Sequence, residues 1–133
     1  AHTIKLSDTL VDELLAADTI VLGAPMYNFS VTSGLKAWID HIARVGRTFS
    51  YGANGPQGLV TGKKVYVVIA SGGVYSEGPA AGYDHLTTYL RAALGFLGMT
   101  DVTFIVAEGV SRGEEAAAAA IAKGRSEIDA ILV

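Results

Sequence analysis

The chain has 133 residues, half of them apolar, with a formal net charge of −3 and no cysteine. That length and composition specify one globular domain with a substantial core, and they exclude disulfide frameworks, thiolate metal sites and cysteine nucleophiles. The mildly acidic balance, with a pI of about 5.5, supplies no basic face for nucleic acid and no polybasic membrane anchor, and the apolar runs are too short to span a bilayer.

In chain order, Ser7 and Asp8 are placed to cap a short first helix whose apolar stripe is Leu10, Val11, Leu14 and Leu15. No secretory signal stands ahead of it, so a cytoplasmic protein is expected, and Asn28-Phe29-Ser30 reads as a chance match to the glycosylation sequon. Thr19 to Ala24, "TIVLGA", is a continuous β-prone run, expected to be a strand covered on both faces. Val31, Leu35, Trp38, Ile39, Ile42 and Val45 keep helical spacing, and Gly46 is placed to end that helix. Arg47 to Lys64 is a long glycine-rich excursion, followed by a second buried strand, "KVYVVIAS", from Lys64 to Ser71. Gly72 to Gly82 is a loop, and Leu86, Leu90, Ala93, Leu94 and Leu97 make an amphipathic helix stopped by Gly98. "DVTFIVAEGV" is a third strand, with Glu108-Gly109 read as a turn at its end, and Glu114 to Val133 forms a closing helix.

Strands that read as unbroken apolar runs and alternate with helices imply a parallel sheet with helices on both sides. Right-handed crossovers put every strand's C-terminal end on one edge, where open α/β sheets bind ligands. The segments "PMYNF" and "ASGGVY" both fall on that edge. Three strands make a thin sheet, and an uncovered apolar edge is an association hazard. Either a partner covers it or further elements N-terminal to this segment do, and the latter is expected.

The sequence holds no GxGxxG and no GxSxG. "GLVTGKK", Gly58 to Lys64, is one residue short of a P-loop and precedes a strand instead of following one, so it reads as a turn. His2, His41 and His85 lack metal-ligand spacing; His41 belongs to a solvated helix face, and Asp84-His85 reads as a helix start. Neither a catalytic side chain nor a metal site is expected. What remains is the pair of edge loops. Pro25 to Phe29 offers apolar and aromatic surface beside the Asn28 amide, while Ser71-Gly72-Gly73 allows close backbone approach. Together they suit a planar heteroaromatic ring with a polar rim, such as a flavin; spacing alone also admits a packed loop and a plain Gly-Gly turn.

Read together, "APMYNFSVTSGLKAWIDHIARVGRTFSY", "NGPQGLVTGKKVYVV", "SGGVY" and "YLRAALGFLGMTDVTFIVAEGV" closely resemble the FMN-dependent NADH-azoreductase family, from about Ser7 to the C-terminus. The resemblance implies a flavodoxin-like, three-layer α/β/α fold with a parallel sheet in the order 2-1-3-4-5. The strands here match the third, fourth and fifth. The first two strands and the phosphate-binding loop have no counterpart, so residues 1–133 read as a single, N-terminally incomplete flavodoxin-like domain.

By the same resemblance, Met26, Tyr27, Asn28 and Phe29 form one FMN-contacting loop, and Ala70, Ser71, Gly72 and Gly73 form the other. Tyr51 and Tyr75 fall on the substrate side. An arginine common in the family at the Ser71 position is absent, and Tyr75 stands where some relatives carry histidine. The implied activity is ping-pong hydride transfer from NADH or NADPH through FMN to a quinone or azo compound, in a homodimer with its sites at the subunit interface. The alternative is a non-enzymatic flavodoxin-like electron carrier or an inactive fragment. A net charge of −3 and an apolar loop argue against the strongly acidic docking face of a carrier.

Overall fold

A computed structural model describes residues 2–132, in the order α1 (His2–Ala16), β1 (Thr19–Gly23), α2 (Ser33–Ile42), β2 (Phe49–Gly52), β3 (Gly55–Gly58), β4 (Lys64–Ala70), a 3-10 turn (Ala81–Tyr83), α3 (Thr87–Phe96), β5 (Val102–Ala107) and α4 (Glu114–Leu132). The three apolar runs pair in parallel in the order β1–β4–β5, with Ile20 beside Val65 and Val67 beside Phe104. This is the parallel α/β arrangement expected from the alternation of elements.

One face of the sheet carries Ile20, Leu22, Val65, Val67 and Ile69, all buried. Against it pack Val11 and Leu14 of α1, Ile39 and Ile42 of α2, and Leu90 and Leu94 of α3. Burying each such side chain contributes roughly 1.5–3 kcal/mol before entropy is counted. Trp38 joins this core half-buried. Among the described residues the other face is covered by α4 alone, where the buried Gly124 lets the helix lie against Ile105. Beyond it, Val21 is 67% exposed and an apolar groove of 280 Å³ runs past Tyr66, Val68 and Ile128. β1 is therefore covered on one face only, contrary to the sequence expectation. An apolar run does not distinguish a covered face from an open one when both faces are apolar.

Two helix limits also differ from the sequence expectation, each because a distant partner intervenes. Ser7 and Asp8 lie inside α1 and cap nothing. Ser7 Oγ donates to the His41 carbonyl at 2.6 Å, and Arg44 Nη1 donates to Ser7 Oγ at 2.8 Å and to Asp8 Oδ1 at 2.9 Å. α2 starts at its Thr32 cap, whose hydroxyl accepts from the Leu35 N–H, but it ends at Ile42, short of Gly46. The buried Thr48 hydroxyl takes over there, donating to the Ile42 carbonyl at 2.6 Å and accepting from the Arg44 N–H at 2.9 Å. Val45 is turned out of the apolar stripe and is 65% exposed.

The glycine-rich excursion is an antiparallel hairpin, β2 paired with β3 from Phe49–Gly58 to Gly52–Gly55. It is seated on the end of α3, where the Val60 N–H donates to the Leu97 carbonyl at 2.8 Å and Gly58 packs directly against the Leu97–Gly98 backbone. "GLVTGKK" is thus the turn from the hairpin into β4, with Gly58 required for that close approach.

Candidate functional site

The backbone ladder carries the chain past the end of β1: the Ala24 N–H donates to the Val68 carbonyl at 2.8 Å and the Met26 N–H to the Ala70 carbonyl at 2.9 Å. The chain then reverses in two residues. Tyr27 and Ser30 exchange both of their backbone hydrogen bonds at 3.0 Å, with Asn28 at φ 48° and Phe29 at φ 74° between them. Positive φ at both central residues is the requirement of a type I′ turn, normally met by glycine or asparagine. A phenylalanine there is strained, and such strain concentrates at ligand-binding sites.

The second loop leaves β4 alongside the segment that leaves β5. The Ser71 N–H donates to the Ala107 carbonyl at 3.0 Å, after which the Val110, Ser111 and Gly109 N–H groups donate to the carbonyls of Ser71, Gly72 and Gly73 at 3.2, 3.1 and 2.9 Å. Ser71 Oγ donates to the Gly73 carbonyl at 2.9 Å. The carbonyls of this loop are thereby turned toward the β5–α4 segment. The N–H groups of Gly72 and Gly73 have no acceptor among the described residues, and neither do those of Asn28 and Phe29. A side chain on Gly72 would meet Ser111 Oγ at 2.7 Å, and one on Gly73 would meet the Tyr75 ring at 3.2 Å. Close packing within the protein therefore demands Gly72, while a Cβ on Gly73 would be tight against a Tyr75 ring that must give by a few tenths of an ångström.

The two loops enclose a cavity of 220 Å³ lined by Met26, Asn28, Phe29, Ser71, Gly72, Gly73 and Tyr75. Tyr27 and Ala70 are exposed, and neither lines it. Tyr51 is on the β2–β3 hairpin, 68% exposed and edge-on to Phe49, so within this chain it does not reach the cavity. Phe29 stands edge-on to Tyr75 at 6.1 Å and tilted against Tyr83 at 5.3 Å, making an aromatic wall. Asp84 starts α3, accepting from the Leu86 and Thr87 N–H groups at 3.0 and 2.9 Å.

Sequence reasoning missed Glu108. Its carboxylate accepts from the Tyr75 and Ser76 N–H groups at 3.0 and 3.1 Å and from Ser76 Oγ. Burial pushes the Glu108 carboxyl up. The hydrogen bonds from Ser76 Oγ and the two N–H groups, together with the Lys123 charge, outweigh that and hold it below the ordinary carboxylate value. The only available signal was its place at the end of the third strand, on the ligand edge. Among the described residues there is no cluster of His, Cys, Asp or Glu that could hold a metal ion, and no helix is long and apolar enough to cross a membrane.

Two backbone-lined loops thus meet at the carboxyl edge of an α/β sheet, the edge where open sheets of this class bind ligands. The flavodoxin-like fold family (Flavodoxin_2) matches residues 2–132, and the chain belongs to that family. It is 61% identical over 99% of its length to a protein of Herminiimonas arsenicoxydans named FMN-dependent NADH:quinone oxidoreductase, of which it covers 65%. A protein of the same name from Mesorhizobium japonicum is 57% identical, with 99% of this chain and 63% of the relative covered. Among solved structures, an FMN-dependent NADH-azoreductase from Bacillus anthracis, in complex with FMN, superposes with a TM-score of 0.83 at 27% identity, covering 96% of this chain and 62% of that one. The chain spans less than two thirds of the length of these curated relatives.

Proposed function

We propose that this chain carries the isoalloxazine-binding half of an FMN-dependent NADH:quinone oxidoreductase that also reduces azo compounds. The observation that carries the reading is the set of four backbone N–H groups, of Asn28, Phe29, Gly72 and Gly73, that have no acceptor among the described residues and belong to residues lining one 220 Å³ cavity. Donors of that kind suit the electron-rich rim of a flavin, and Met26, Phe29 and Tyr75 offer apolar surface to its ring. When bound, FMN supplies a ring that takes a hydride from a nicotinamide and delivers two electrons to a planar acceptor. The residues present bind and orient that ring, exclude water from one side, and place N–H dipoles where negative charge gathers on reduction. No side chain of the loops is required as an acid or base. NADH as donor follows the relatives' names.

In this reading the working protein is a cytoplasmic homodimer. Tyr51 and the exposed aromatic surface of its hairpin, with Phe96 43% exposed beneath it, serve the substrate side of a partner's pocket.

The deciding experiment is an FMN titration, followed by flavin fluorescence, of this chain and of the same chain extended by the N-terminal segment of the Herminiimonas arsenicoxydans relative. The extended protein is expected to bind FMN and to oxidise NADH with a quinone. Failure of both forms to bind removes the functional reading. FMN binding without NADH turnover replaces the enzyme with an electron carrier.

A further inference from the structure

Between the cavity and the 3-10 turn, the chain from Val74 to Glu77 makes no backbone–backbone hydrogen bond among the described residues. Among the described residues, everything that ties this segment down by hydrogen bonding comes from one side chain. Glu108 Oε2 accepts the Tyr75 and Ser76 N–H groups at 3.0 and 3.1 Å, and Oε1 accepts the Ser76 hydroxyl. Glu108 directly follows Ala107, the last residue of β5, so the anchor stands on the rigid sheet while its partners stand on a loop. Tyr75 in turn lies with its ring against Gly73 and edge-on to Phe29, touching both loops that form the cavity.

We propose that Glu108 is the positioning residue of this site: its carboxylate fixes the Tyr75–Ser76 backbone, and with it the Tyr75 ring that lies against Gly73 and Phe29, in the shape that accepts a planar ring. The proposal rests on the flavin reading for the identity of the ring, but the clamp itself does not. Both carboxylate oxygens are used, and both N–H groups converge on the same one, a pattern a carboxylate or a primary amide can satisfy and an alkyl group cannot. A loop with no other hydrogen bonds samples many conformations unless such a group over-determines it, and binding then bears the cost of ordering it. Glu108 thus pre-organises the site without touching the ring.

The test compares Glu108→Ala, Glu108→Gln and the remote control Thr32→Ala, which removes the α2 cap. Backbone hydrogen exchange is measured without FMN on this chain, and FMN affinity and the visible absorption of bound flavin are measured on the extended form. In Glu108→Ala the Tyr75 and Ser76 amides are expected to exchange at least about tenfold faster. FMN affinity is expected to fall about tenfold with an altered flavin band. Glu108→Gln should stay within about threefold of wild type in affinity, because its amide oxygen keeps the N–H partners. Unchanged exchange in Glu108→Ala, wild-type affinity in that variant, or an equal loss of affinity in Thr32→Ala each overturns the proposal. Faster exchange in Glu108→Ala beside a wild-type protein that takes no FMN leaves the clamp standing and rejects the flavin.

Discussion

The carbonyl of Phe29 accepts the backbone N–H of His85 at 2.9 Å, and Ser30 Oγ returns a hydrogen bond to the His85 carbonyl at 3.1 Å. This pair of bonds ties the strained turn of the first loop to the start of α3, which Asp84 has already fixed. The turn can hold Asn28 and Phe29 at positive φ because its flanks are held on both sides, by the Tyr27–Ser30 exchange and by His85. Strain persists only where surrounding structure over-determines it.

Phe29 therefore plays against the fold while serving the site. Left-handed backbone costs an L-residue roughly 1–2 kcal/mol and glycine almost nothing, partly offset by the entropy glycine loses on folding. Phe29→Gly is expected to be more stable than Phe29→Ala by about 1 kcal/mol in urea unfolding, while both weaken FMN binding in the extended protein. For the same reason Asn28→Gly is a cleaner probe of the amide than Asn28→Ala. Equal stability of the two Phe29 variants would show that the turn is not left-handed in solution.

Gly72 is constrained from the protein side. Its missing Cβ leaves room for Ser111, whose own N–H is bonded to the Gly72 carbonyl. Gly72→Ala is expected to destabilise by about 1–3 kcal/mol and to distort the second loop. Combining it with Ser111→Gly, which removes both atoms in the way, should recover most of that loss. The check is a double-mutant cycle in denaturant midpoints, and strict additivity of the two changes contradicts the packing argument.

The parallel sheet and its carboxyl-edge loops were legible in the sequence because they rest on local pattern: Lys64 to Ala70 and Val102 to Ala107 are apolar enough to be strands wherever they lie. What was not legible depends on partners far along the chain. Ser7 has the chemistry of a cap and is used instead to hold the end of α2; Thr48, in the stretch read as a glycine-rich excursion, is fully buried and ends that helix. The hairpin escaped because its strands, Phe49–Gly52 and Gly55–Gly58, contain too few β-formers to register. Met26, Asn28, Phe29, Ser71, Gly72 and Gly73 were singled out through residue type and resemblance, and all six line one cavity. Glu108 resembled a turn residue because nothing near it in sequence announces Tyr75 and Ser76 as its partners.

The two glycines of "GLVTGKK" should respond very differently to the same change. A Cβ on Gly58 overlaps the backbone of Leu97 and Gly98, atoms that cannot move without lifting the hairpin off α3. Gly58→Ala is expected to cost about 3 kcal/mol. Gly62 has φ +75° and open space around it, so Gly62→Ala carries only the backbone strain, about 1 kcal/mol. Chemical denaturation of both variants is the measurement, and the reverse ranking removes the assignment of this segment as a packed turn.

The Glu108 clamp also predicts a pH signature. Its carboxyl lies below the ordinary value of 4.5 in the folded chain, because the bonds from Ser76 and Tyr75 and the Lys123 charge overcome the opposing effect of burial. A carboxyl lowered on folding contributes stability that is full above its unfolded value and is lost as pH falls through its folded value. The unfolding free energy of wild type minus that of Glu108→Gln should therefore be flat from neutral pH down to about 5 and shrink below that. Asp84 is a second carboxyl lining the same small cavity as Glu108, so the comparison must be with the Gln variant at each pH rather than with wild type alone. A difference that stays constant to pH 3 means the Glu108 carboxylate gains nothing from its three donors.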